Sequence, residues 1–154
     1  MRGTKICFAA SSGGHLEEIA RLRELTQEYD SFLLTEKGSF QGLNFCEQIY
    51  YVPQINRREL FFLPKFIWLF VKSFVIIRKE QPDFVVSTGA LATYPICVWA
   101  KLLKKKIIYI ESFARVDGPS LTGKLMYKMA DLFLVQWEEM LRFFPDATYC
   151  GGIF

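Results

Sequence analysis

The sequence predicts an α/β domain, a Rossmann-like doubly wound parallel sheet that takes in all of residues 1–154. Three observations predict it. Six short apolar runs are continuous rather than alternating, as expected for strands buried on both faces. Helix-length segments separate most of them, and strands alternating with helices imply right-handed crossovers and parallel pairing. A glycine pair, Gly13-Gly14, follows the first run and opens the first helical segment.

The predicted strands cover residues 5–10, 31–35, 48–52, 83–87, 106–110 and 131–135. The predicted helices cover 14–28, 64–80, 91–103, 121–129 and 137–143. Pro64 fits a first helical turn, where its missing N–H costs little. Asp117-Gly118-Pro119 reads as a turn. No repeat, low-complexity tract or internal boundary interrupts the chain, and its length suits one domain.

Composition narrows the function. Just over half the residues are apolar, enough for a real core. A net charge of +3 argues against a dedicated nucleic-acid binder, which shows a basic stripe interleaved with stacking aromatics. Cys7, Cys46, Cys97 and Cys150 have no CxxC spacing, so neither a zinc site nor a thioredoxin-type motif is expected. Cys7, Cys97 and Cys150 sit in apolar runs, where a reduced cysteine acts as a small hydrophobe. No signal peptide is apparent, and a reducing cytoplasm is the natural reading.

Ligands of such sheets bind beyond the carboxyl ends of the strands. The loops to inspect are therefore 10–15, 35–41, 87–90, 111–119 and 136–138. The first reads Ser11-Ser12-Gly13-Gly14-His15, strand before and helix after. Glycines permit a tight turn and close approach, and the free N–H groups of a helix start favour an anion. It is neither GxGxxG nor a P-loop, so dinucleotide and ATP sites are poorly supported. Phosphate cradling by Ser11, Ser12, Gly13 and Gly14 is the expectation. His15, the only histidine, is a candidate general base; the alternative is a cap or loop support.

Ser87-Thr88-Gly89-Ala90 is a second small turn at the same edge, with ordinary strand-to-helix turn chemistry as its bland reading. In Glu111-Ser112-Phe113-Ala114-Arg115, Glu111 is a candidate to orient His15 or a sugar hydroxyl, and Arg115 to pair with a phosphate. A structural Glu–Arg pair is the alternative. The acidity of Trp137-Glu138-Glu139 is read as complementing a helix dipole.

The aromatic share is 16%, and much of it lies between Phe61 and Phe74. In the segment Leu60 to Lys79, Lys65, Lys72 and Lys79 recur every seven residues as one narrow polar stripe, and bulky apolar residues surround it. From Pro64 to Ile77 a helix covers about 21 Å, against a hydrocarbon core of roughly 30 Å, so a span is not expected. Shallow insertion fits better, with Phe61, Phe62, Phe66, Trp68, Leu69 and Phe70 in the interface and Lys65, Lys72 and Arg78 at anionic head groups. Arg57, Arg58, Lys101, Lys104, Lys105 and Lys106 are expected to extend the basic surface. A core or partner-facing helix is the alternative.

Several motifs occur in a specific order. They are Ser11 to His15, then Gln81-Pro82-Asp83-Phe84-Val85-Val86-Ser87-Thr88-Gly89-Ala90, then Tyr109-Ile110-Glu111-Ser112. After these come Gly123-Lys124-Leu125, Ala130-Asp131, Phe144-Pro145 and Gly151-Gly152. The set resembles the N-terminal domain of the peptidoglycan N-acetylglucosaminyltransferase that makes lipid II. It resembles more closely the acceptor-side chains of split GT-B glycosyltransferases. These are the membrane-anchoring subunit of the dolichol-linked N-acetylglucosaminyltransferase and the bacterial capsule and exopolysaccharide galactosyltransferase enhancers. The likeness covers nearly the whole chain.

The resemblance implies the N-terminal half of a GT-B enzyme and a polyprenyl-diphosphate-linked sugar acceptor. It also implies a separate subunit that binds the UDP-sugar, a peripheral place on the cytoplasmic face of the cell membrane, and no metal or other cofactor. On this leading reading His15 and Glu111 are the candidate catalytic residues, and Ser11, Ser12, Gly13, Gly14, Thr88, Gly89, Ser112 and Arg115 are expected around the acceptor head. The eukaryotic subunit carries an N-terminal spanning anchor that is not seen here, and the aromatic helix is expected to replace it. The chain alone is expected to lack the nucleotide-sugar pocket and to be inactive or nearly so. The competing reading is a non-catalytic enhancer or membrane scaffold for a partner holding all the chemistry. A nucleotide-binding Rossmann protein is a third, without a third glycine and with only Glu36 as an acidic residue near the end of the second strand.

Overall fold

A computed structural model describes residues 3–38 and 45–153. The far end of the predicted 35–41 loop lies outside them. The strands are β1 (Lys5–Ala10), β2 (Asp30–Glu36), β3 (Gln48–Val52), β4 (Phe84–Gly89), β5 (Lys106–Ile110), β6 (Leu132–Val135) and β7 (Thr148–Tyr149). The helices are α1 (Gly14–Ala20), α2 (Leu25–Glu28), α3 (Phe62–Glu80), α4 (Tyr94–Leu102) and α5 (Leu121–Tyr127). All pairings are parallel, in the order β3-β2-β1-β4-β5-β6-β7. The order reverses between β1 and β4, which makes this the doubly wound sheet expected from the pattern.

Alternation along each strand divides the core into two layers. Ile6, Phe8 and Ala10 of β1 meet Leu33, Val86 and Ile110 on one face, together with Leu16 and Ile19 of α1. Cys7 and Ala9 meet Phe32, Leu34, Val85, Ile107 and Tyr109 on the other, with Leu69, Ile76 and Ile77 of α3 and Ile96 and Cys97 of α4. Both faces of the central strands β1, β2 and β4 are buried, which is why these strands read as unbroken apolar runs. Cys7, Cys46 and Cys97 are buried and free; Cys150 is free but exposed at the end of the short last strand, against its expected burial.

The single helix expected over 14–28 is two. After Ala20 the amides of Arg21, Leu22 and Arg23 bond the carbonyls three residues back, of Glu18, Ile19 and Ala20. That tighter winding ends α1 after seven residues without a glycine or proline. Residues 138–142 likewise form a 3-10 turn rather than an α-helix. The two-residue β7 is too short to leave a periodic signal.

α3 is two-sided. Leu69, Ser73, Ile76, Ile77 and Glu80 face the sheet. Trp99 of α4 donates its indole N–H to the Phe70 carbonyl at 2.8 Å and packs its ring 4.7 Å from that of Phe74. The outward face still exposes Phe61, Leu63, Ile67, Trp68, Val71 and Val75. Leu69, expected among the membrane-facing residues, is fully buried because its helical phase points at the sheet. Phe62, Phe66 and Phe70 are half-buried, with neighbouring rings 5.3 Å apart, the first pair stacked and the second edge to face. Among the described residues no helix is long and apolar enough to cross a membrane.

This division makes a direct contrast. Leu69→Ala should destabilise the chain by about 2–5 kcal/mol in denaturant unfolding. Val71→Ala, at a position 58% exposed, should change stability by no more than about 0.5 kcal/mol. Equal effects would contradict the assignment of the two faces.

Candidate active site

The ends of β1 and β4 stand side by side where the strand order reverses, and the Ser11 amide donates to the Gly89 carbonyl at 2.9 Å. Beyond them opens a cleft of about 490 Å³. Ser11 and His15 reach it from the β1–α1 loop, Glu36 from the end of β2, Ser112 and Arg115 from the loop after β5, and Arg57 from the β3–α3 connection. All six of these side chains are ionisable or hydroxylic groups of the kind that bind a phosphorylated sugar.

Gly13 sits at φ 79 as the residue before α1, a conformation that favours glycine. With this turn the chain enters α1 and carries His15 over Gly89. The Thr88 hydroxyl donates to the His15 carbonyl at 2.8 Å and fixes that turn of helix to β4. A Cβ at Gly89, itself at φ 99, would lie 3.3 Å from His15 Cε1 and 3.5 Å from Nδ1. The glycine is therefore what lets the imidazole lie against the strand end. Burial holds the His15 imidazole below its ordinary value of 6.5 and the Arg115 charge lowers it further, opposed by the Thr88 backbone contact. Folding thus favours the neutral ring. That contribution is present above pH 6.5 and is lost as the pH falls through the depressed folded value.

The structure revises the role expected of Glu111. Its carboxylate is 1% exposed and accepts from the Ser112 amide at 3.1 Å, the Ser120 amide at 3.2 Å and the Ser120 hydroxyl at 2.8 Å. Ser120 in turn caps α5, accepting from the Gly123 amide at 2.7 Å. A Cβ at Gly123 would fall 1.8 Å from Glu111 Oε2, so only a glycine lets α5 sit on this carboxylate. Glu111 builds the wall of the cleft, and the acid beside His15 is Glu18. Its Oε2 lies 3.9 Å from His15 Nδ1.

Other expected site residues divide. Ser11, Ser112 and Arg115 line the cleft. No ion pair engages Arg115 among the described residues, so the expected Glu–Arg alternative does not form. Ser12 turns toward β2, with its amide and hydroxyl each 3.4 Å from Glu36 Oε2, and Thr88 is spent on α1. Gly13 and Gly14 shape the turn and do not line the cleft. Seven residues give α1 a short dipole, so the positive charge facing the cleft comes from Arg57 and Arg115.

Sequence reasoning missed Glu18, although three residues after His15 on a helix is the same face. It also missed Glu36 as an anchor. That buried carboxylate accepts from the Ile55 amide at 3.0 Å and pins the β3–α3 connection beside the cleft. Trp137, read only as a helix start, donates to the Phe113 carbonyl at 2.7 Å and braces the loop after β5.

A second concavity, about 510 Å³, lies along the start of α3. Phe61, Pro64, Trp68, Tyr51 and Pro53 form its apolar walls, with Lys37, Lys65 and Lys72 at its edge. Two lysines of the expected polar stripe are engaged within the chain. Lys65 pairs with Glu59, and Lys72 donates to the Tyr51 carbonyl and lies 4.8 Å over the Trp68 ring. Burial and the neighbouring Lys37 charge both lower the Lys72 ammonium. Lys101 and Lys106 pair with Asp131 beside the amino end of β5, the edge opposite the cleft, so they do not extend this surface. Among the described residues no group of three His, Cys, Asp or Glu side chains is placed to hold a metal ion.

Comparison with known proteins agrees with this architecture. Among solved structures, the chain superposes on MurG from Acinetobacter baumannii with a TM-score of 0.71 at 16% identity, covering 86% of this chain and 41% of that one. It superposes on a UDP-N-acetylglucosamine 2-epimerase from Rickettsia bellii with a TM-score of 0.76 at 14% identity, covering 99% and 46%. The chain thus spans less than half the length of these structures, and at such identities the likeness establishes the Rossmann-like, GT-B-type half-fold alone. In sequence, it is 32% identical to the human UDP-N-acetylglucosamine transferase subunit ALG14, over 96% of this chain and 82% of that one. It is 38% identical to the rat protein of the same name, over the same shares. The family described as "Oligosaccharide biosynthesis protein Alg14 like" matches residues 45–153. On the strength of these matches, the chain belongs to the Alg14 family.

Proposed function

We propose that this chain is the acceptor-side, membrane-docking subunit of a two-component UDP-N-acetylglucosamine transferase that extends a polyprenyl-diphosphate-linked sugar. The donor follows the printed name of its relatives, which are transferase subunits. A partner subunit binds the UDP-sugar, and the chain alone is inactive or nearly so. Lipid-linked oligosaccharide assembly is the setting nearest these relatives; capsule or exopolysaccharide assembly is the alternative setting, which the acceptor accepted in an assay would decide.

One observation carries this reading. The β3–α3 connection borders both concavities: Gln54, Ile55 and Arg57 line the polar cleft, while Pro53 and Phe61 line the apolar groove. A polar head site and an exposed aromatic face therefore meet at one edge of the sheet. That is the layout an amphipathic acceptor requires, its diphosphate near Arg57 and Arg115 and its chain toward Phe61, Ile67 and Trp68. An exposed apolar patch of this kind marks a membrane or partner surface.

In the transfer step the acceptor hydroxyl gives its proton to His15 as its oxygen bonds the anomeric carbon of the donor. The bond from that carbon to the UDP oxygen breaks, and UDP leaves on the partner's side. A neutral imidazole at working pH is the protonation state a general base needs. Ser11, Ser112 and Arg115 bind and orient the acceptor head.

In the assembled complex His15→Ala should lower kcat by about 10²–10⁴-fold, the usual worth of a general base, with pairing and fold intact by size-exclusion chromatography and circular dichroism. Unchanged turnover would instead establish a non-catalytic enhancer. Cosedimentation with phosphatidylglycerol vesicles should fall sharply for a Phe61→Ser/Ile67→Ser/Trp68→Ser variant. Undiminished binding by that variant would remove α3 from the membrane contact.

A further inference from the structure

His15 and Glu18 share one face of α1, and His15 Nδ1 lies 3.9 Å from Glu18 Oε2. Both atoms are buried, and neither has a hydrogen-bond partner among the described residues. A buried polar atom left unpaired carries the full penalty of leaving water, and two such atoms facing each other over one gap are best explained as a pair. A small approach of the ring brings them to hydrogen-bonding distance, and such contacts are often long before substrate binds.

The carboxylate is held from behind. Glu18 Oε1 accepts from the Ser112 hydroxyl at 3.1 Å and from the Phe113 amide at 2.8 Å. One oxygen is thereby tied to the loop after β5 and the other is aimed at the imidazole. The ring cannot retreat far, because its Cε1–Nδ1 edge rests on Gly89. We infer that Glu18 is a positioning residue: it keeps a proton on His15 Nδ1, so that Nε2 carries the lone pair and faces the reaction. This rests on the reading of His15 as general base, but the pairing itself does not.

When Nε2 takes the acceptor proton, Nδ1 keeps its own, and the adjoining carboxylate steadies the resulting imidazolium. The other groups facing this pair are Arg115 across the cleft, Glu111 at the end of β5 and the Tyr109 hydroxyl beside Gly89. Arg115 opposes protonation of His15, and Glu111 opposes ionisation of Glu18. The Thr88 backbone contact favours charge on His15, Glu36 lies in the same cleft, and Glu18 is the acid paired with the ring at 3.9 Å among the described residues.

Because His15 is the only histidine, its ring resonances report on it alone in the full chain. In the unsubstituted protein, imidazole ¹⁵N shifts should show the Nδ1–H tautomer; the Nε2–H tautomer would overturn the proposal. In the isosteric Glu18→Gln variant the His15 titration midpoint should fall by about one pH unit or more, the effect of losing an adjacent opposite charge. An unchanged midpoint would also overturn it. In the assembled complex Glu18→Gln should lower kcat at least about tenfold with little change in the acceptor KM, and the acid limb of the kcat–pH profile should move with the midpoint. Should the midpoint move while His15→Ala keeps full activity, the pair exists and the general-base reading is what fails.

Discussion

The parallel contact between β1 and β4 is the constraint on which the rest of the molecule depends. Strand order reverses at this pair, so the connections leaving the two strands run to opposite faces of the sheet and open a space between them. The bond from the Ser11 amide to the Gly89 carbonyl closes the bottom of that space. Thr88 fastens α1 to β4 from the side, and Gly89 leaves room for the imidazole. Two buried carboxylates then set the walls. Glu111 holds α5 through Ser120, and Glu36 holds the β3–α3 connection through Ile55. Each is buried only because backbone amides or hydroxyls satisfy it, which is the general condition for burying charge.

α3 extends the same logic to a surface. Its sheet-facing residues complete one layer of the core, while its outward residues remain apolar and exposed. A helix that served only the core would carry polar groups there. Its first turn lies on the cleft edge of the sheet because α3 begins where the chain leaves the carboxyl end of β3. Topology alone therefore sets the aromatic face beside the polar cleft.

Much of this was legible in the residues. Six continuous apolar runs corresponded to six strands, because burial on both faces leaves no room for polar alternation. The glycine turn and His15 were legible because a loop that begins with a strand and ends with a helix has few chemical purposes. What escaped depended on distance in the chain. That Glu111 is consumed by Ser120, and Glu36 by Ile55, cannot be read without knowing which loops meet. Leu69 escaped for a different reason: in a helix apolar on nearly every side, composition does not say which side faces the sheet. The end of α1 escaped because a change from four-residue to three-residue bonding needs no glycine or proline.

The role proposed for this chain is to bind the acceptor rather than the nucleotide sugar, and the single histidine offers the most direct test. A water-soluble short-prenyl diphosphate–N-acetylglucosamine and UDP-N-acetylglucosamine can each be titrated into the chain alone while the His15 Cε1–H resonance is followed. A saturable shift is expected with the prenyl diphosphate sugar and none with the nucleotide sugar. A saturable shift with UDP-N-acetylglucosamine, and none with the acceptor analogue, would contradict it.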